Sequence, residues 1–222
     1  IAALTVTNLS ALDATQVGAL TTTQIKSLTA TQMTGLDAAD VAEFTTTQIS
    51  NLANTQLLAM TSTNMAGLAE TQIASIAAIG VKALTATNFA ALAETQLGAL
   101  TTTQVSSLTT TQLQALTSTK FSSFTETQLG ALTTSQLGGI STTNLSALDA
   151  TQFSAFRTTQ LQTLTTTQLN GLSTTDISEL TTTQIGLLTT AQVRGLSTTN
   201  IGALSDTQVL SLTTTQLAAF SN

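Results

Sequence analysis

The chain has 222 residues, is 41% hydrophobic and only 7% charged, and sets five bases against eleven acids with no His, Cys, Pro, Trp or Tyr. A net charge of −6 without a basic stripe argues against nucleic-acid binding, and the lack of cysteine excludes a disulfide framework. Thr and Gln interrupt every apolar stretch, so none approaches the roughly 18 residues of a membrane span.

From its first residues the chain repeats one eight-residue phrase. Two positions are apolar throughout: Ile1, Leu9, Val17, Ile25 and onward to Leu217, and Leu4, Leu12, Leu20, Leu28 and onward to Phe220. The stretch LTTTQIKSLTATQMTGL at 20–36 states the phrase twice. Between Leu20 and Ile25 stands Thr21-Thr22-Thr23-Gln24. Thr-x-x-Gln is a capping box: the hydroxyl accepts the N–H three residues on, and the Gln side chain reaches back to the cap N–H. Leu20 and Ile25 are placed as a hydrophobic staple around it. Of the 28 cap positions 23 hold Thr, Ser or Asp, and of the 27 positions three later 18 hold Gln and five Asn.

Each octad therefore starts a helix, and the next cap ends it about two turns later. Such helices are too short to stand alone, so stacking must stabilise them. The small residues before each Leu, such as Ala19, Ser27, Gly35 and Ala91, let the chain turn tightly. The expected fold is all-α: a solenoid or superhelix of short helices, one per octad, uninterrupted over 1–222 through about 28 repeats. The alternative is a β-solenoid, since Thr, Val and Ile favour strands and Gln ladders stack. Against it, the apolar positions alternate at spacings of five and three. Both are odd, and would send the two sets to opposite faces of a strand.

A longer period overlies the octad. Asn8, Asn64, Lys120 and Asp176 stand seven octads apart, as do Asn88, Asn144 and Asn200. Acids follow them: Asp13, Glu70, Glu94, Glu126, Asp149 and Asp206. Merged, the later members of the two series step by three octads and by four in alternation, which either a superhelix with about 3.5 octads per turn or duplication of a seven-octad unit accounts for. Asn8, Asp13, Asn64, Glu70, Asn88, Glu94, Lys120, Glu126, Asn144, Asp149, Asn200 and Asp206 then form a candidate lateral-contact stripe.

Catalysis needs convergent titratable groups, and no such constellation occurs, so neither an enzyme nor a cofactor is expected. Asp37, Asp40 and Glu43 form the densest acidic cluster, a candidate for calcium or a solvated face at a helix start. The octad IAAIGVKA at 76–83 loses both cap and Gln, at Ala77 and Gly80. One further row is not explained by capping. Thr7, Thr15, Thr23, Thr31 and their successors hold 23 of 27 positions, and the helical wheel points them away from the core.

The phrase L-T-x-x-Q-[ILV] resembles the helix starts of α-solenoids such as the DNA-reading repeats of TAL effectors, though without their longer repeat or a basic groove. The whole chain resembles the Thr-rich repeat tracts of very large bacterial secreted surface proteins and adhesins. That resemblance implies an extracellular stalk, matrix or fibre. The chain starts and stops within a phrase and is as apolar there as in its middle, so it is expected to be a segment of something longer, associating with itself end to end or laterally. The alternative function is an ice- or surface-binding module that uses the rows of outward Thr.

Overall fold

The computed structural model describes residues 1–221. Among them are 27 α-helices of four to six residues, from Val6–Ser10 to Thr214–Ala218, a closing 3-10 turn at Ala219–Ser221, and no strand. Each octad contributes one helix. The all-α solenoid expected from the caps is the fold, and the β-solenoid is not.

The local cause is visible at nearly every helix start, the helix Ala78–Ala83 being an exception. Thr21 Oγ1 accepts the Gln24 N–H at 3.3 Å, and Gln24 Oε1 accepts the Thr21 N–H at 2.8 Å. Thr101 and Gln104 repeat the arrangement at 3.2 and 2.7 Å. Where Ala replaces the cap hydroxyl, the Gln half of the box remains: Gln56 Oε1 accepts the Ala53 N–H at 2.8 Å. Helices end in one of two ways. Some add a residue in the right-handed region, as at Ala19, and others pass straight into an extended Leu, as at Leu36. No described residue has positive φ, so the chain turns without the left-handed conformation that favours glycine.

Two compact units form, Ile1–Ala115 and Leu116–Asn222. In the first, the helix Asn54–Ala59 packs against Ala30–Gly35 on one side and Ala78–Ala83 on the other. In the second, Thr166–Asn170 packs between Thr142–Leu145 and Thr190–Arg194. Contact partners are thus three octads apart. Close approach relies on small residues: a Cβ on Gly67 would lie 2.7 Å from the Ala38 backbone.

Both apolar registers line the core of each unit. Ile25, Met33, Val41 and Phe89 are fully buried, as are Leu129, Leu137 and Phe153. Each such side chain contributes about 1.5 to 3 kcal/mol of burial. Edge-to-face pairs Phe121–Phe124 and Phe153–Phe156, with centroids 5.6 and 5.5 Å apart, add local geometry to the second unit.

Candidate functional site

The Gln that closes a capping box in most octads from Gln32 onward also joins one superhelical turn to the next. Gln48 Nε2 donates to the Val17 carbonyl at 2.7 Å and the Leu20 carbonyl at 2.9 Å, 31 and 28 residues earlier. Gln56 does the same to Ile25 and Leu28, and Gln104 to Ile73 and Ile76. In the second unit Gln168 reaches Leu137 and Ile140, and Gln192 reaches Leu161 and Leu164. The shorter of the two displacements is three and a half octads, so the amide falls between the third and fourth octads before it.

Asn64, Asn88, Asn144 and Asn200 belong to this ladder and are buried. With one methylene fewer than Gln, Asn makes its best contact to a single carbonyl. Asn64 and Asn88 reach Leu36 and Met60 at 2.6 Å each, and Asn200 reaches Leu169 at 2.8 Å. The stripe therefore divides. Its buried Asn members lie between turns, Lys120 is half-buried, and Asn8 is exposed. Asp13, Glu70, Glu94, Glu126, Asp149 and Asp206 are all exposed. They sit at helix starts, where a negative charge opposes the positive end of the helix dipole.

Asp37, Asp40 and Glu43 do not converge as metal ligands, and no group of three acids does so among the described residues. Asp40 serves as a cap partner: its Oδ2 accepts from the Asp37 N–H and from the Ser10 hydroxyl, both at 2.8 Å. The octad 76–83 keeps its helix, Ala78–Ala83, despite losing the box. There the Leu57 side chain lies beside Gly80, 2.7 Å from where a Cβ would be, and Ile79 is 61% exposed.

The Thr row faces outward position by position. Every member of the series from Thr7 to Thr215 is exposed. The Thr hydroxyls of this row make no hydrogen bond to the protein among the described residues, except that Thr207 meets Ser205 at 3.1 Å. Cap threonines, by contrast, spend their hydroxyl on the helix start. Where an octad holds both, as with Thr101 and Thr103, one Thr is structural and the other is free. No helix is long and apolar enough to cross a membrane among the described residues.

A family model described as the ALTTAQ repeat matches residues 188–222, a stretch opening on Leu188-Thr189-Thr190-Ala191-Gln192. The chain is similar to that repeat over this segment, which identifies a repeat region. No curated protein matches the chain.

Proposed function

We propose that this protein is a structural element, a self-associating extracellular fibre or stalk of the kind built by large bacterial surface proteins and adhesins. The observation that carries the reading is the amide ladder. Within each unit, a turn offers donors to the turn before it and carbonyls to the turn after it, with an apolar core between. Such a stack has no intrinsic length. Whether its next turn is supplied by the same chain or by another copy, the contact is the same. Uniform octads also repeat one environment along the chain instead of gathering unlike polar groups around a substrate, which favours a mechanical role over an enzymatic one.

Electron microscopy of the purified chain tests this directly. Filaments with an axial spacing of about 10 Å, the distance between packed helices, are the expected result. A population of single short particles at all concentrations would count against self-association.

One observation favours a second reading. Free, outward hydroxyls at nearly every octad can order water on ice or bind a surface glycan. With three and a half octads per turn these Thr residues are spread around each unit rather than gathered on one face. That distribution suits a hydrated coat or lateral contacts better than a flat ice-binding plane, so the fibre or stalk is preferred.

A further inference from the structure

The amide ladder leaves two unlike faces open. Asn8, Gln16 and Gln24 hold ladder positions in the first unit and are exposed. Gln16 Oε1 accepts the Asp13 N–H at 3.0 Å and Gln24 Oε1 the Thr21 N–H at 2.8 Å, so the oxygens of these two amides are used. Their NH2 groups, and that of Asn8, donate to no carbonyl among the described residues. The first amide to do so is Gln32, which reaches Ile1 at 3.1 Å and Leu4 at 2.8 Å. The second unit presents the other half of the bond. Gln216 takes the Leu188 carbonyl at 2.6 Å, and beyond it no ladder amide among the described residues reaches the carbonyls of Ile201, Leu204, Val209, Leu212 or Leu217.

The apolar registers divide in the same way. Every member of one register is buried from Leu28 to Leu196, yet Leu4, Leu12 and Leu20 are only half-buried. The other register is buried from Leu9 to Val193, yet Ile201 is half-buried and Val209 and Leu217 are 39% and 44% exposed. Members of the first register are covered once an earlier turn precedes them, and members of the second once a later turn follows. One face therefore carries free amide hydrogens and one apolar register, while the other carries carbonyls and the opposite register. Within each unit these are the two sides of a single contact.

Resting on the fibre reading, we infer that each face is completed by a second copy of this chain, the first unit of one copy seating on the second unit of the copy before it. The internal displacements of 31 and 28 residues set the register. Gln24 of the second copy meets the carbonyls of Leu217 and Phe220, Gln16 those of Val209 and Leu212, and Asn8 one of those of Ile201 and Leu204. This is the first register in which the two chains do not overlap in the octad count. Its two sides are different surfaces, so the contact is heterologous and repeats from copy to copy.

Sedimentation velocity of the 222-residue chain over a wide range of concentration is the test, with two double variants beside the parent. Q16E/Q24E keeps the capping boxes, since Glu also closes them, but has no hydrogen for the carbonyls of the other copy. V209K/L217K places charge on the opposite face at positions that are already partly exposed. Circular dichroism establishes that both keep the parent's helix content, and V209T/L217Q replaces the Lys pair if that variant does not. The parent is expected to form oligomers that grow with concentration, and each double variant alone to associate at least about tenfold more weakly. Mixed in equal amounts, the two variants are expected to give a dimer and nothing larger, because only one intact face of each kind remains. Association of both variants at the parent's strength would overturn this contact in favour of a lateral one, with the fibre reading intact. Folded variants that stay monomeric when mixed would overturn it too. A parent chain that is monomeric at every concentration would remove both this contact and the self-association on which it rests.

Discussion

Gln104 donates to the carbonyl of Ile76 at 2.7 Å, across 28 residues of sequence, while its other amide atom accepts the Thr101 N–H at 2.7 Å. One side chain thereby starts a helix and fastens it to the turn before. Gln104→Ala strands the buried Ile76 carbonyl and a cap N–H, and leaves the Ile73 carbonyl with only the Ile76 N–H at 3.2 Å. We expect a loss of about 2 to 4 kcal/mol, since each abandoned buried polar group costs its desolvation. Gln24 makes only the local bonds of its box and is exposed, so Gln24→Ala should cost about 1 kcal/mol or less. Calorimetric melts of the two variants measure the contrast directly. Equal losses would show that capping, and not the ladder, carries the effect.

Gln104→Glu separates the two roles further. Glu also closes a capping box, but its carboxylate has no donor for Ile73 and Ile76. It should therefore behave like Gln104→Ala at neutral pH rather than like the parent chain, and comparison of their melting temperatures decides the point.

The sequence carried a signal for this second role. No Glu occurs at any of the 27 ladder positions, although Glu would cap as well as Gln. Capping alone does not demand an amide; two facing carbonyls do. The octad, the helix starts and the three-and-a-half-octad turn were legible because each is a local pattern or a period. That Asn64 and Asn88 face inward was not, because a substitution period shows that positions are equivalent without showing which way they point. Burial of an amide is set by the neighbouring turn, three and a half octads away, and the exposed acids Glu70 and Glu94 one octad later obscured the difference.

Cap chemistry predicts changes of opposite sign. Thr101→Ala removes a hydroxyl that accepts the Gln104 N–H and should cost about 1 kcal/mol. Ala93 stands at a helix start with no side-chain cap and lines an open depression with Ala69 and Thr95. A Thr placed there has room for its γ atoms, and Ala93→Thr should stabilise by roughly 0.5 to 1 kcal/mol. Urea midpoints at constant slope report both changes.

Glycines sort by what surrounds them. Gly67→Ala would bring a Cβ to 2.7 Å from the Ala38 Cα and carbonyl oxygen, and backbone cannot swing aside as a side chain can. Overpacking of this kind costs about 1 to 3 kcal/mol. Gly138 and Gly202 close their helices with nothing within 4 Å of the added methyl. Replacing either with Ala should stabilise by about 0.5 to 1 kcal/mol through the lower chain entropy of the unfolded state. Thermal melts of the three variants should therefore move in two directions.

The free Thr row separates folding from function. Thr87, Thr95 and Thr103 are exposed and their hydroxyls make no bond to the protein, so replacing all three with Lys should leave stability within about 0.5 kcal/mol per site. What changes depends on what those hydroxyls meet. If copies pack side by side through them, the added charge separates the filaments while single filaments persist, visible by electron microscopy and as loss of bundles on sedimentation. If the hydroxyls instead face ice, thermal hysteresis falls and bundling is untouched. Under the fibre reading the first result is expected, because each turn carries its outward Thr residues in several directions and so offers lateral contacts all round, whereas an ice plane needs them aligned on one side.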